Sequence, residues 1–407
     1  MPIILKLAFR NIWRNPKRSL ITIGAISIGV WSAVTLSSIA RGLSYGMADD
    51  AINNLVGHVQ IHAPKYLDDP AAEFNFNISS SIVRDRLSSL KVRAVAERVR
   101  VPAVLLSERE SVGVNLVGID PQTEKSLSFI GDGVSEGLEL MDQKDPGIII
   151  GKRLKEILKT KLGNRVVLVT QDSNNSIVDR GFRIVGVFDA KLESTEKAFV
   201  FVGREVAQSF LNLEDGISEI SLKLEDAEMV DAAIATLKME FPEMEIDSWY
   251  VLEPLVIALR KVQDGFLIIW FFIVIVSVSF GVVNTQLMST FERMREFGVM
   301  MALGLKPKRL LSMVTVESLM LLVIGLSMGN LMGAMNFFIL SDGIDLSTFA
   351  AASEQLGFGK IVIPRFIARD WIQCSVLLVV IGLISTLYPA WKGSRYDPVT
   401  SISGRGV

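Results

Sequence analysis

SLITIGAISIGVWSAVTLSSIA, residues Ser19–Ala40, carries no charged side chain, and neither does GFLIIWFFIVIVSVSFGVVNTQLMSTF, residues Gly265–Phe291. Two further stretches, Ser318–Ser341 and Trp371–Trp391, are equally free of charge. A helix needs about 20 apolar residues to cross a bilayer, and the hydrocarbon tolerates only structures that satisfy their own backbone. The four stretches therefore read as four spanning helices in a one-plus-three arrangement. The 224 residues from Arg41 to Asp264 are inserted between the first and the second. The fold class that follows is an α-helical membrane protein with an α+β extracytoplasmic domain between its first two spans.

The chain has 407 residues and a net charge of −2, which conceals an asymmetry. The insert from Arg41 to Asp264 holds 36 acidic and 26 basic residues, whereas the remainder holds 8 acidic and 16 basic. An acidic insert excludes a nucleic-acid partner, which requires a basic face. Basic residues cluster before span one (Lys6, Arg10, Arg14, Lys17, Arg18), between spans two and three (Arg293, Arg295, Lys306, Lys308, Arg309) and after span four (Lys392, Arg395, Arg405). The positive-inside rule makes these segments cytoplasmic, so both termini are inside and the insert outside.

The expected divisions are an interfacial helix at 1–18, spans at 19–41, 265–290, 312–341 and 371–391, and the outer domain at 42–264. A cytoplasmic segment at 291–311, an outer loop at 342–370 and a cytoplasmic tail at 392–407 complete the chain. The first span reads as an uncleaved anchor: its apolar run exceeds a usual signal-peptide core, and Ser38–Ala40 followed by Arg41 is a poor cleavage site. The single cysteine, Cys374, falls in span four, so the outer domain relies on packing rather than disulfides.

Ile4, Leu7, Ala8 and Ile12 recur at helical spacing, which fits both an interfacial helix and an ordinary basic flank. In the insert, Val56–His62, Gly113–Ile119, Arg165–Thr170, Phe182–Phe188, Ala198–Val202 and Ile217–Leu224 read as strands. Lys152–Lys161 reads as a helix stopped by Gly163, and Ala227–Phe241 as an amphipathic helix with Val230, Ala233, Ile234, Leu237 and Phe241 on one stripe. These elements make an α+β domain of one lobe or two. Glu253–Asp264 is expected to run helically into span two, making that span a rod.

Span three carries Gly325, Gly329 and Gly333, and span one Ala25, Gly29, Ala33 and Ser37, all at four-residue intervals. Small residues so spaced let helix backbones approach closely, either within the chain or against a second four-span subunit. Asn284, Asn330 and Asn336 are expected to hydrogen-bond between helices. Glu317 is expected at the inner boundary, snorkelling or paired with an arginine. His58, Gln60 and His62 alternate onto one strand face, read as exposed, and two histidines alone make a weak metal site. Nothing forms a nucleophile–base pair. The nearest approach to a P-loop, GIIIGKR at Gly147–Arg153, has one residue too few between its glycines and ends in Arg where Ser or Thr would hold magnesium.

FERMREFGVMMALGLKPKRLL, residues Phe291–Leu311, puts Met294, Phe297, Met301 and Leu305 on one stripe before Gly304 and Pro307 break the helix. By spacing it is a turn on the membrane surface or a handle for a cytoplasmic partner. With the residues that follow it to Gly333, it resembles the FtsX-like permease signature. LAFRNIWRNPKRSLITIGAISIGV resembles that family's amino-terminal helix and first span. LYPAWKGSRYDPVTSIS resembles its closing pattern, here Pro389–Ala390 and Asp397–Pro398–Val399. GHVQIHAPKY, GKRLKEILKTKLGNRVVLVT and FRIVGVFDA resemble its extracytoplasmic domain. The resemblance covers essentially the whole chain. It is to the membrane subunits of ABC transporters of the MacB, LolC/LolE and FtsX kind, also called type VII or mechanotransmission.

The resemblance implies that Phe291–Leu311 is a coupling helix docking on an ATP-binding subunit. Its signature positions would be Glu292, Arg293, Arg295, Glu296, Gly298, Ala302 and Gly304. It implies that ATP and magnesium are bound by that dimeric cytoplasmic partner, with no cofactor in this chain. A second permease copy or a paralogue, membrane lipid and a periplasmic acceptor or chaperone are the further implied partners. It places the protein in the bacterial inner membrane. The implied function is release or translocation of lipoproteins or another amphipathic substrate. The alternatives are efflux of peptides or small molecules, as in MacB, and signalling to a cell-wall hydrolase, as in FtsX, whose inserts are much smaller.

Overall fold

The computed structural model describes residues 3–88, 90–131, 133–190, 192–345 and 361–394. The closing Asp397–Val399, Arg395 and Arg405 lie outside them. In chain order the helices are α1 Ile3–Arg14, α2 Pro16–Ala51, α3 Ser80–Arg86, α4 Pro121–Glu124, α5 Lys152–Ile157, α6 Glu193–Ala198, α7 Arg204–Leu211, α8 Val230–Glu240, α9 Trp249–Leu252, α10 Pro254–Glu292, α11 Met294–Ala302, α12 Pro307–Ile339 and α13 Ala368–Ser394. The strands are β1 Val59–His62, β2 Val92–Leu106, β3 Ser111–Ile119, β4 Val134–Gly137, β5 Gly147–Gly151, β6 Arg165–Gln171, β7 Ile177–Phe188, β8 Phe199–Gly203, β9 Glu219–Leu224, β10 Glu245–Ser248, β11 Ile344–Asp345 and β12 Ile361–Val362. Among the described residues the chain forms two compact units, divided at Tyr45/Gly46 and at Ala258/Leu259. Both divisions fall inside helices, α2 and α10.

Four helices, α2, α10, α12 and α13, are long and apolar enough to cross a membrane. The 39 residues of α10 extend about 58 Å at 1.5 Å per residue, nearly twice a bilayer's hydrocarbon thickness of about 30 Å. Glu253 itself stays out of the helix, which begins at Pro254 and then runs unbroken into the apolar stretch.

In this unit Ile26, Val30, Ala33 and Val34 of α2 share one cluster with Phe271, Ile275, Val278 and Val282 of α10, Leu322 of α12 and Cys374 and Leu378 of α13. The glycine series of α12 faces α2: a Cβ on Gly325 would lie 2.7 Å from Ile26 Cβ, one on Gly329 2.6 Å from Val30 Cβ, and one on Gly333 against Val34. The ridge Ile26–Val30–Val34 thus sits in the groove left by three missing side chains. Ser27 Oγ donates to the Gly325 carbonyl at 3.1 Å across the same contact. Gly29 faces α10, where Val278 would meet its Cβ at 2.5 Å. Ala33 is fully buried, whereas Ala25 is exposed and takes no part in this face. Of the intramembrane asparagines, Asn330 donates to Ser375 at 3.2 Å and Asn336 to Thr35 at 3.3 Å. Asn284 is exposed and makes no interhelical bond among the described residues.

The inserted unit is organised on one ten-stranded mixed sheet in the order β10–β1–β9–β2–β3–β8–β5–β7–β4, with β6 bridging β2 and β7. One sheet through the whole unit replaces the division into two lobes. Alternate residues feed opposite layers. Leu116, Ile148, Ile150, Val200 and Val202 enter the larger core, while Val117, Ile149 and Phe201 join Phe188, Leu140 and Leu55 on the other face. Burial on both faces explains the unbroken apolar run of β5, a run that periodicity alone does not assign to a strand. The helix expected over Lys152–Lys161 is shorter, ending at Ile157, because Lys159 turns to φ +51° before Gly163 at φ +86°.

The face carrying His58, Gln60 and His62 is buried, not exposed. The cause is the position of β1, paired on one edge with β10 and on the other with β9. His58 Nδ1 accepts the Leu224 amide at 2.9 Å. His62 stacks on Tyr66 with ring centroids 5.2 Å apart, and burial lowers its pKa. Both its sheet neighbour and that of Arg98 is Glu219.

Arg98, fully buried, donates to Glu124 at 2.6 and 3.0 Å, to Glu219 at 2.8 Å, to Ser221 Oγ at 3.0 Å and to the Leu55 carbonyl. Burial raises the pKa of Glu219, but Arg98, with Arg100 and His62, outweighs burial and leaves that carboxyl below its ordinary range. Leu55 lies in the kinked segment Ile52–Val56 at φ +106°, a conformation a leucine rarely adopts. Its carbonyl also receives Gln60 Nε2 and Ser221 Oγ, both at 3.3 Å.

Two outcomes test this packing. Gly329→Val is expected to overpack the α2–α12 contact by about 1–3 kcal/mol, lowering the thermal midpoint in detergent by several degrees. Gly281→Ala, where a Cβ meets nothing within 4 Å, is expected to leave it unchanged. Arg98→Met strands two buried carboxylates and is expected to cost about 3–5 kcal/mol in chemical denaturation of the full chain. Arg98→Lys is expected to recover only part, since an ammonium cannot bridge both oxygens of Glu124.

Candidate functional site

At one end of the helical unit, α10 stops at Glu292, Arg293 leaves helical geometry at φ −98° and ψ 7°, and α11 begins at Met294. The far end of α11 is closed by glycine. Gly304 sits at φ +94°, its amide donates to the Met301 carbonyl and the Leu305 amide to Met300, both at 3.0 Å. This pair of bonds is a Schellman motif. Pro307 then takes the first helical position of α12, where its missing N–H costs nothing.

The inward face of α11 is Phe297, with Met300, Met301 and Leu305, against Leu310, Met313 and Val314 of α12. Gly298 is buried beside it. Met300 joins Phe297, Met301 and Leu305 in this stripe, while Met294 stays outside it.

The charged first turn is not free. Arg18 bridges Glu292 through two bonds of 2.6 and 2.8 Å, and Arg14 bridges Glu296 through two of 2.7 and 2.9 Å. Arg293 is buried, donates to Glu317 at 3.0 Å and lies 5.1 Å over the Phe297 ring. Glu317 is therefore paired with an arginine, one of the two outcomes expected from the sequence, and it is buried. The bridge from Arg14 holds the Glu296 carboxyl below its ordinary range, and that from Arg18 does the same for Glu292. A polar cavity of about 20 Å³ lies between α2, α10 and α12, lined by Thr22, Thr285, Gln286, Ser289, Arg293 and Glu317. The remaining signature residues, Arg295, Ala302 and Gly304, are exposed with Val299 and Leu303.

Arg14 and Arg18 read from sequence only as a basic flank. The signal that could have found their role is matched spacing: two arginines four apart and two glutamates four apart. No such signal marks Arg98, whose charge interrupts the strand pattern of β2.

At the opposite end Arg41 joins Asp370 at 2.6 Å and also Asp264, tying α2 to α13 and α10. Elsewhere, Gly147–Arg153 builds no phosphate cradle. The Glu196 carboxylate fills the start of α5, accepting the Arg153 amide at 3.0 Å and the Ala190 amide at 3.1 Å. The Glu196 backbone also occupies the space a Cβ on Gly151 would need. No group of three or more metal-ligating side chains forms among the described residues.

Two family profiles match the chain: the MacB-like periplasmic core domain over residues 19–239 and the FtsX-like permease C-terminal region over residues 268–398. The lipoprotein-releasing system transmembrane protein LolC of Neisseria meningitidis serogroup B is 22% identical over 94% of this chain and 93% of its own length. The macrolide export ATP-binding/permease protein MacB of Burkholderia pseudomallei is 21% identical over 97% of this chain and 60% of its own. The solved periplasmic region of MacB from Actinobacillus actinomycetemcomitans covers 53% of this chain and 94% of its own length at 16% identity, with a TM-score of 0.35.

Because the Glu296 pKa is depressed in the fold, its bridge contributes fully above the unfolded glutamate pKa of about 4.3 and is lost as pH falls through the lower folded value. The thermal-midpoint difference between the natural chain and Glu296→Gln is expected to be constant from pH 8 to 6. It should close on acidification below about pH 4. The bridge is largely exposed, so the difference is expected to be small.

Proposed function

From the premise that the chain belongs to the family of the MacB-like periplasmic core domain, followed here by an FtsX-like permease region, we infer that it is the membrane subunit of an ABC transporter. Its energy comes from ATP hydrolysis by a separate cytoplasmic subunit, which binds the ATP and magnesium. The observation that carries this reading is the construction at the end of the helical unit. A nine-residue helix, closed at its far end by the Gly304 cap, bridged to α1 through Glu296 and packed on α12 through Phe297, stands between two spanning helices. Push such a helix and α1 and α12 must respond, because its inward face is buried against α12 and its one acid, Glu296, is held by Arg14.

The basic segments support an orientation with this end in the cytoplasm and the inserted domain outside, in the inner membrane of a bacterium. The substrate class is a lipoprotein or another amphipathic molecule taken from the outer leaflet. The near full-length match to a lipoprotein-releasing protein supports that choice. The MacB relative, named for both ATP binding and permease activity, supports efflux of a smaller solute as the second reading. The filled start of α5 supports placing ATP elsewhere than the inserted domain. A second permease, identical or paralogous, would complete the transporter.

The test is reconstitution. The chain, purified with its co-expressed ATP-binding subunit in liposomes, is expected to release a lipidated protein on addition of ATP. Absence of release, with ATPase activity stimulated instead by a macrolide-like solute or a cell-wall hydrolase, would sink the lipoprotein reading.

A further inference from the structure

We propose that the cytoplasmic partner grips α11 through two apolar knobs, Val299 and Leu303, set in a basic rim, and that the acidic first turn is withheld from it as an internal clasp. This rests on the reading that an ATP-binding subunit docks on this segment, and it names the face used. Seven charged residues lie between Phe291 and Leu311. Glu292 and Glu296 are bridged to Arg18 and Arg14, and Arg293 is buried against Glu317. The charges left outward are Arg295, Lys306, Lys308 and Arg309, all exposed and all positive.

The apolar side chains divide as sharply. Phe297, Met300, Met301 and Leu305 are committed to α12. Val299 and Leu303, four residues apart and so on one face, point away, with 46% and 84% of their surface accessible. The Schellman bonds around Gly304 fix the backbone of Leu303 at the helix end. A pair of apolar side chains on a segment whose outward charges are all positive fits a protein cleft with an apolar floor and an acidic rim. Such a centre supplies most of the binding energy when it is desolvated. A lipid surface would call for a broad apolar face, whereas the broad apolar face of α11 is spent on α12.

The experiment uses the full chain co-expressed with its ATP-binding subunit, recovered in detergent and in nanodiscs with and without anionic lipid. Leu303→Asp is expected to lower recovery of the subunit at least tenfold, and Val299→Asp severalfold. Both should leave the thermal midpoint of the membrane chain nearly unchanged, because neither side chain belongs to the cluster that packs on α12. Glu296→Gln is expected to retain recovery within twofold. Full recovery with Leu303→Asp, or loss with Glu296→Gln at an unchanged midpoint, overturns the assignment. Retained recovery with Leu303→Asp alongside weakened anionic-lipid binding gives the knobs to the membrane and also overturns it. If the natural chain recovers no ATP-binding subunit, the permease reading fails together with this one.

Discussion

The contact between Ile26–Val30–Val34 of α2 and Gly325–Gly329–Gly333 of α12 is the constraint on which the membrane unit depends. Lipid tails are as apolar as side chains, so helices in a bilayer gain little from burying leucine and must be held by close packing and hydrogen bonds. Three absent side chains let the α12 backbone reach β-branched residues whose rotamers are already restricted. With α12 fixed to α2, Gly29 brings α10 onto a neighbouring face, and α13 closes the cluster through Cys374 and Leu378. α2 therefore touches every other span, and a shift of one partner meets it first.

Charge is handled at the two ends of this bundle in the same manner. At one end Arg14, Arg18 and Arg293 meet Glu296, Glu292 and Glu317; at the other Arg41 meets Asp264 and Asp370. The exposed bridges contribute modestly to stability. What they decide is how the charge is spent, because a glutamate bridged through both oxygens already has its charge matched by an arginine. The inserted unit shows the buried version. Arg98 joins β2, β9, α4 and the Leu55 carbonyl, and removing it would leave charge in the core rather than expose it to water.

Much of this was legible from the residues. The spans followed from uncharged runs longer than any soluble core helix requires, and most strands of the insert from alternation. Of the four strands of the insert not read, β2, β4, β5 and β10, two have a physical cause. β5 is apolar on both faces and has no alternation to detect. β2 carries Arg98 inward, so its charge pattern contradicts its burial. The histidines of β1 were misjudged because alternation reports which residues share a face and not whether that face is covered; pairing on both edges buried them. Arg293 gave no sign of its break, but within Phe291–Leu311 the glycine cap and the proline start could be placed from composition. The partners of its acids could not, because they lie more than 270 residues away.

Sequence alone determined the number of spans, the inserted domain, the sidedness expected from basic clusters and the family resemblance. All of these rest on composition and local spacing, which a chain carries whether or not it is folded. Tertiary structure alone decided that the glycine series serves α2 inside the chain, that Ala25 and Asn284 face outward, that Arg98 is an interior cation, and that Glu292 and Glu296 are spoken for. Each of those is a choice among chemically equivalent partners. A glycine stripe accepts any close helix and a glutamate any arginine, and only the folded path of the backbone brings one candidate within 3 Å and leaves the others in solvent or lipid.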